Sequence, residues 1–135
     1  NNRPEAPLTQ PTNPFVTTSD EFAGNNVIEK IGRGKYAVYA HLQPGSVRVR
    51  LGQRIRTGQT LGLLGNSGNS TSPHLHFSIQ DGPNPFTSDS LPYVFDHYTL
   101  QGNAIPDTFS VTGTPHRELR SYPLAGALAN FSRGA

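Results

Sequence analysis

The chain has 135 residues and a formal charge of +2, with 33% apolar and 15% charged residues, 14 glycines, 12 prolines and no cysteine, methionine or tryptophan. That length supports one core and so one small domain, and the glycine and proline content favours short strands joined by many turns, so the expected class is all-β. Missing cysteines exclude a disulfide framework and a thiolate metal site, and the mild, dispersed charge, with a pI near 9.2, gives no support for nucleic acid as a partner.

No run approaches the roughly 20 apolar residues that span a bilayer, and Asn1-Asn2-Arg3-Pro4 has no signal-peptide hydrophobic region, so the chain reads as soluble with no membrane span. A start at Asn1 with no methionine anywhere leads to the expectation of a processed product or a fragment.

Pro4, Pro7, Pro11 and Pro14 punctuate the first segment, where fixed φ and missing N–H donors disfavour helix and sheet; residues 1–24 read as a Pro-rich arm or loop. Val27-Ile28-Glu29-Lys30-Ile31 and Tyr36-Ala37-Val38-Tyr39-Ala40-His41-Leu42 flank Gly32-Arg33-Gly34-Lys35, a hairpin signature with glycines available for positive φ. Val47-Arg48-Val49-Arg50 alternates apolar with basic and predicts a short strand. Gly52, Gly58, Gly62 and Gly65 then mark tight corners in a small barrel or sandwich.

Gly65 to Pro73 is a polar turn that delivers the chain into a strand from His74 to Gln80. Period-two alternation places His74 and His76 on one face of it and Leu75, Phe77 and Ile79 on the other, buried side. His41, before the Gln43-Pro44-Gly45 turn, is expected near a sheet edge. Tyr93-Val94-Phe95-Asp96-His97-Tyr98-Thr99-Leu100 predicts a further strand, and Leu119 to Phe131 a short helical turn interrupted by Pro123 and Gly126. The domain reading is a core over 25–102 and a tail of unknown role over 103–135.

Two imidazoles sharing one strand face suit a metal ligand beside a proton-transfer group, whereas His41 alone reads as a structural or surface residue. Taken together, these segments resemble the lysostaphin-like (LytM-type) zinc metallopeptidases that cut peptidoglycan peptides. The resemblance rests on Tyr39-Ala40-His41-Leu42, on the glycine-paced run from Val49 to Gln59 with Leu61-Gly62, and on Gly65-Asn66-Ser67-Gly68-Asn69-Ser70 leading into His74-Leu75-His76-Phe77. Leu91-Pro92-Tyr93-Val94-Phe95-Asp96 is similar to a segment that follows the core in some members.

The resemblance implies an antiparallel β-sandwich or barrel-sandwich hybrid, incomplete at its N-terminus, and a peptidoglycan peptide as substrate outside the cytoplasm, in a bacterial envelope or secreted. It implies that His76 is a zinc ligand and that His41 and His74 flank the metal-bound water. Zinc lowers the pKa of its water to about 7 and polarises the scissile carbonyl, leaving neighbouring imidazoles to move protons and stabilise the oxyanion. The family's other two ligands, a histidine and an aspartate in an upstream HxxxD motif, have no counterpart in this chain. Asp20, Glu21, His97 and His116 lack the family's spacing and order.

Two readings follow: the chain is the C-terminal part of a peptidase domain, or it is a degenerate, non-catalytic module that binds the cell wall or activates another protein. Sheet edges left without upstream strands invite a missing N-terminal segment or self-association. A cupin reading fails because no ligand Glu follows the HxH pair at the right place. A nucleophile elbow at Gly65-Asn66-Ser67-Gly68-Asn69 fails because Asn69 stands where glycine is required. Gly32-x-Gly34 is a hairpin turn rather than a dinucleotide loop, and Lys35 lacks the flanking acid of a lipoyl carrier. Arg48, Arg50, Arg54 and Arg56 read as a solvated strand surface before they read as a stripe for anionic polymers.

Overall fold

A computed structural model of the chain describes residues 2–6, 18, 21–105 and 110–131; most of the expected Pro-rich arm, residues 7–17 and 19–20, lies outside them. The chain divides into two compact units, Asn1–Leu91 and Pro92–Ala135. Every named strand pair is antiparallel and the described residues form no α-helix, which agrees with the all-β expectation.

In the first unit, β1 (Asn25–Gly32) and β2 (Lys35–Leu42) form the expected hairpin, turning through Arg33 and Gly34, whose φ of 60° suits glycine. β3 (His76–Gln80) pairs with the other side of β2, giving the order β1-β2-β3. Directly opposed residues share a sheet face. One face therefore carries Ala40 with His76, Val38 with Ser78 and Tyr36 with Gln80, and the other carries Tyr39 with Phe77 and Ala37 with Ile79.

The first face holds the core of Ala23, Val38 and Ala40, joined by Ile28. Burying a valine such as Val38 fully contributes roughly 1.5–3 kcal/mol. On the second face Tyr39 and Phe77 meet with ring centroids 5.1 Å apart, and the Tyr39 hydroxyl donates to Glu29 Oε2 at 3.2 Å.

Three expectations change here. His41 lies on the central strand of its sheet, not at an edge, because β3 adds to the far side of β2. His74 precedes β3 and forms only an isolated bridge with Gly65, while Leu75 is 45% exposed instead of buried. Val47–Arg50 forms no strand: Arg48 N–H donates to Leu61 O, and the chain turns instead at Arg50–Gln53 and Arg56–Gln59. Those two Arg-x-Gly-Gln turns are alike. Gln53 and Gln59 donate back to the Arg50 and Arg56 carbonyls, with Gly52 and Gly58 at φ of 78° and 83° as a type II turn demands.

The beginning of the chain is tied to the loop before β3. Ala6 N–H donates to Asn66 O and Glu5 bridges Ser67, while Arg3 pairs with Glu21, just ahead of β1.

In the second unit, β4 (Phe95–Ala104) pairs with β5 (Val111–Thr112), β6 (His116–Ser121) and β7 (Ala127–Asn130). Strands thus replace the helical turn expected over 119–131. Tertiary pairing with β4 outweighs the weak local preference there. Aromatic rings build this unit's interior: Phe95 lies 4.6 Å from Phe131 and 5.9 Å from Tyr122, and Tyr98 is buried against Phe131 at 5.4 Å.

Candidate functional site

The site is built on an irregularity in β2. Asn25 pairs with Leu42 but Val27 pairs with Tyr39, so β2 spends one residue more than β1 across this stretch. His41 lies in it with a φ of 63°, left-handed backbone that non-glycine residues adopt at a cost of about 1–2 kcal/mol. Regular alternation would turn His41 towards the face of Tyr39 and Ala37. The bulge instead brings its ring onto the face of Ala40 and His76, with centroids 5.9 Å from His76 and 4.7 Å from His74.

A buried polar network holds the bulge. Asn25, fully buried, donates its amide to Arg3 O at 2.8 Å and Leu42 O at 3.1 Å and accepts from Arg3 N–H at 2.7 Å. Ser67 Oγ accepts from Asn25 N–H and donates to Leu42 O at 2.6 Å. The loop following Gly65, expected only as a polar turn, is therefore largely interior scaffold. Asn66 donates to Ala6 O and accepts from Ser70 Oγ at 2.6 Å. Gly68, at φ 74°, lies so close to Phe22 and Gly24 that a Cβ would collide with their backbone.

This scaffold sets the tautomers. His41 Nδ1 lies 2.7 Å from Ser67 O, and a carbonyl can only accept, so Nδ1 carries the proton and Nε2 keeps its lone pair. His74 Nδ1 stands likewise 2.8 Å from Ser72 O, with Ser70 Oγ at 3.2 Å. His74 and His76 are exposed whereas His41 is 7% exposed. Burial pulls the His41 pKa below its ordinary 6.5; the bond to Ser67 opposes this and the neighbouring His74 and His76 add to it. His41 is thus neutral at pH 7, able to accept a proton or offer a lone pair.

The structure brings together the three histidines singled out from the sequence. Sequence reading missed the groups that aim them: Asn25, Ser67 and the carbonyls of Ser67 and Ser72. Backbone carbonyl orientation leaves no residue-level signal, although Ser67 stands inside a motif already marked. Among the described residues no group of three His, Cys, Asp or Glu side chains is placed to hold a metal ion. A complete three-ligand zinc site therefore does not fit these residues. His97 and His116 lie in the second unit, paired with Asp96 and Glu118.

Comparison with known proteins agrees with the motifs. The model of peptidase family M23 matches residues 5–88. The peptidoglycan DD-endopeptidase ShyA of Vibrio cholerae is 38% identical over 64 residues, 47% of this chain and 14% of the relative. The glycyl-glycine endopeptidase ALE-1 of Staphylococcus capitis is 40% identical over 58 residues, 42% of this chain and 16% of the relative. The cell division protein DipM of Caulobacter vibrioides is 37% identical over 60 residues, 44% of this chain and 10% of the relative. The match thus spans a small part of each relative. No solved structure matches.

Proposed function

Because this chain belongs to peptidase family M23, matched over residues 5–88, we propose that it acts in hydrolysis of peptide bonds in bacterial peptidoglycan, outside the cytoplasm, as the part of an endopeptidase centre that carries His41, His74 and His76. The observation that carries this reading is the convergence of the three rings, two of them fixed through Nδ1 by backbone carbonyls. Such anchoring leaves Nε2 of neutral His41 unprotonated and holds the His74 ring through its Nδ1, as a proton-handling pair beside a scissile bond requires.

In this reading His41, neutral and buried, accepts a proton as water attacks. His74, on the exposed side, donates a hydrogen bond to the developing oxyanion when protonated, and the proton taken by His41 passes on to the leaving amine. His76 is the residue that would contribute a ligand to zinc, which when bound supplies Lewis-acid polarisation and an activated water. The other ligands are not among the described residues, so no step is routed through the ion.

That same lack of a three-donor group favours a second reading, a module that binds peptidoglycan without cutting it. Release of dye from labelled peptidoglycan in the presence of zinc separates the two. Hydrolysis by the chain, abolished in His76→Ala, supports the first reading. No hydrolysis, with co-sedimentation on insoluble peptidoglycan unchanged in His76→Ala, overturns it in favour of the second.

A further inference from the structure

Seven of the chain's 11 lysines and arginines fall between Lys30 and Arg56, a stretch with no Asp or Glu, and all seven are exposed. Among the described residues none of the seven enters an ion pair. Three of them, Lys30, Arg50 and Arg54, line one depression of about 550 Å³ together with Leu51. Glu29, the one carboxylate there, already accepts from the Tyr39 hydroxyl at 3.2 Å. Cations gathered on one surface repel one another, and anions binding across them relieve that repulsion.

Leu51 is the second feature of this surface. It heads the Arg50–Gln53 turn and is more exposed than any other large apolar side chain among the described residues. Its neighbour Gly52 has open space where a Cβ would stand, so the tip projects clear of the fold. The turn is closed twice, by Gln53 N–H to Arg50 O and by Arg50 N–H to Gln53 Oε1, each at 3.0 Å, which holds the tip in place without burying the leucine. Single exposed leucines need no explanation. One that projects between Arg50 and Arg54, however, has the chemistry of a membrane interface, with cations at the level of the phosphates and an apolar tip beneath them. A soluble polyanion would engage the cations and leave the leucine in water.

We propose that the Arg50–Gln53 turn docks the chain peripherally on an anionic bilayer, with Leu51 inserted below the headgroups and Lys30, Arg50 and Arg54 against lipid phosphates. This is attachment to one leaflet, for which no spanning helix is needed. The proposal stands apart from the peptidase reading. Its test requires neither metal nor turnover, so failure of either leaves the other in place.

The test is co-sedimentation of the full chain with vesicles of equimolar phosphatidylglycerol and phosphatidylcholine, beside vesicles of phosphatidylcholine alone, with binding of soluble polyphosphate measured by calorimetry. The chain contains no tryptophan, so Leu51→Trp gives an emission that reports this one position. Binding is expected on the anionic vesicles and not on phosphatidylcholine, weakening as salt rises. The Leu51→Trp emission should move to shorter wavelength on the vesicles and become shielded from acrylamide. Arg50→Ser and Arg54→Ser should each weaken vesicle binding about fivefold, and Leu51→Ser about fivefold, the effect of roughly half-burying a leucine. No binding to the anionic vesicles, equal binding to phosphatidylcholine, or vesicle binding with an unshifted Leu51→Trp emission overturns the proposal. Vesicle binding unchanged in Leu51→Ser, or in both arginine variants, overturns it as well; polyphosphate bound as tightly by Leu51→Ser as by the unaltered chain then identifies a soluble polyanion as the occupant. If Leu51→Trp fails to fold, the serine variants decide alone.

Discussion

Replacing His41 by glycine and, separately, by alanine measures the strain stored in the β2 bulge. Both variants lose the imidazole, its bond to Ser67 O and its contacts with His74 and His76, so those terms cancel in the comparison. What remains is backbone. At a φ of 63° an alanine keeps the left-handed penalty of about 1–2 kcal/mol, whereas glycine is free of it but loses roughly 0.5–1 kcal/mol more chain entropy on folding. The balance favours glycine by about 1 kcal/mol, the reverse of the usual order in a strand.

Lys30, exposed on β1, gives the control: there alanine should exceed glycine by about 0.5–1 kcal/mol. With a urea slope of roughly 1–3 kcal/mol per molar, the His41 pair should differ in midpoint by about half a molar. Unfolding is best followed on the Ala23 and Ala40 amides, which report this unit alone. If His41→Ala exceeded His41→Gly by the roughly 0.5–1 kcal/mol expected at Lys30, the bulge would store no strain and the left-handed backbone assigned to His41 would be refuted.

Other outcomes follow from the same geometry. In an NMR titration His41 should protonate below 6.5 and His116, raised by its bonds to Thr114 O and Glu118, above it. The depressed His41 contributes stability that is complete above pH 6.5 and is lost as pH falls through its folded pKa; a His41 that titrates above His116 contradicts this. Burial, the Glu29 charge and the hydrogen bond to it push Tyr39 up to about 12, so the stability it contributes holds below pH 10 and is lost as pH rises towards 12. Glu29→Gln should bring the Tyr39 ring-carbon titration down, and no change would remove Glu29 as a cause. Gly68→Ala should lose at least about 2 kcal/mol in denaturant unfolding, from its φ of 74° and the collision with Phe22 and Gly24, and should shift the His41 ring resonances as Ser67 moves; a smaller loss with unmoved resonances would refute the close approach.

Much of the fold was legible wherever structure is local. The Gly32–Lys35 turn, the glycine corners at Gly52 and Gly58 and the alternation of His76 with Phe77 and Ile79 between the two sheet faces all depend on a few neighbouring residues, although the core lies on the His76 face and not, as expected, on that of Phe77 and Ile79. Legibility failed where distant pairing overrode local pattern. Leu119 to Phe131 carries a broken helical signal, yet β4 recruits residues 119–121 and 127–130 of it as strands. Val47–Arg50 alternates like a strand, yet it enters no ladder.

The site divides along the same line. Sequence alone singled out His74 and His76, because their spacing and the marked loop before them are written in consecutive positions. Only tertiary structure decided how His41 joins them. Alternation would have sent it to the opposite face, and the bulge that reverses it exists because β1 pairs out of step with β2 while the carbonyl of Ser67, 26 residues further along, accepts the hydrogen bond from Nδ1–H. A one-residue slip inverts every side chain beyond it, and nothing in the local sequence carries the energy of a partner that arrives from elsewhere in the chain.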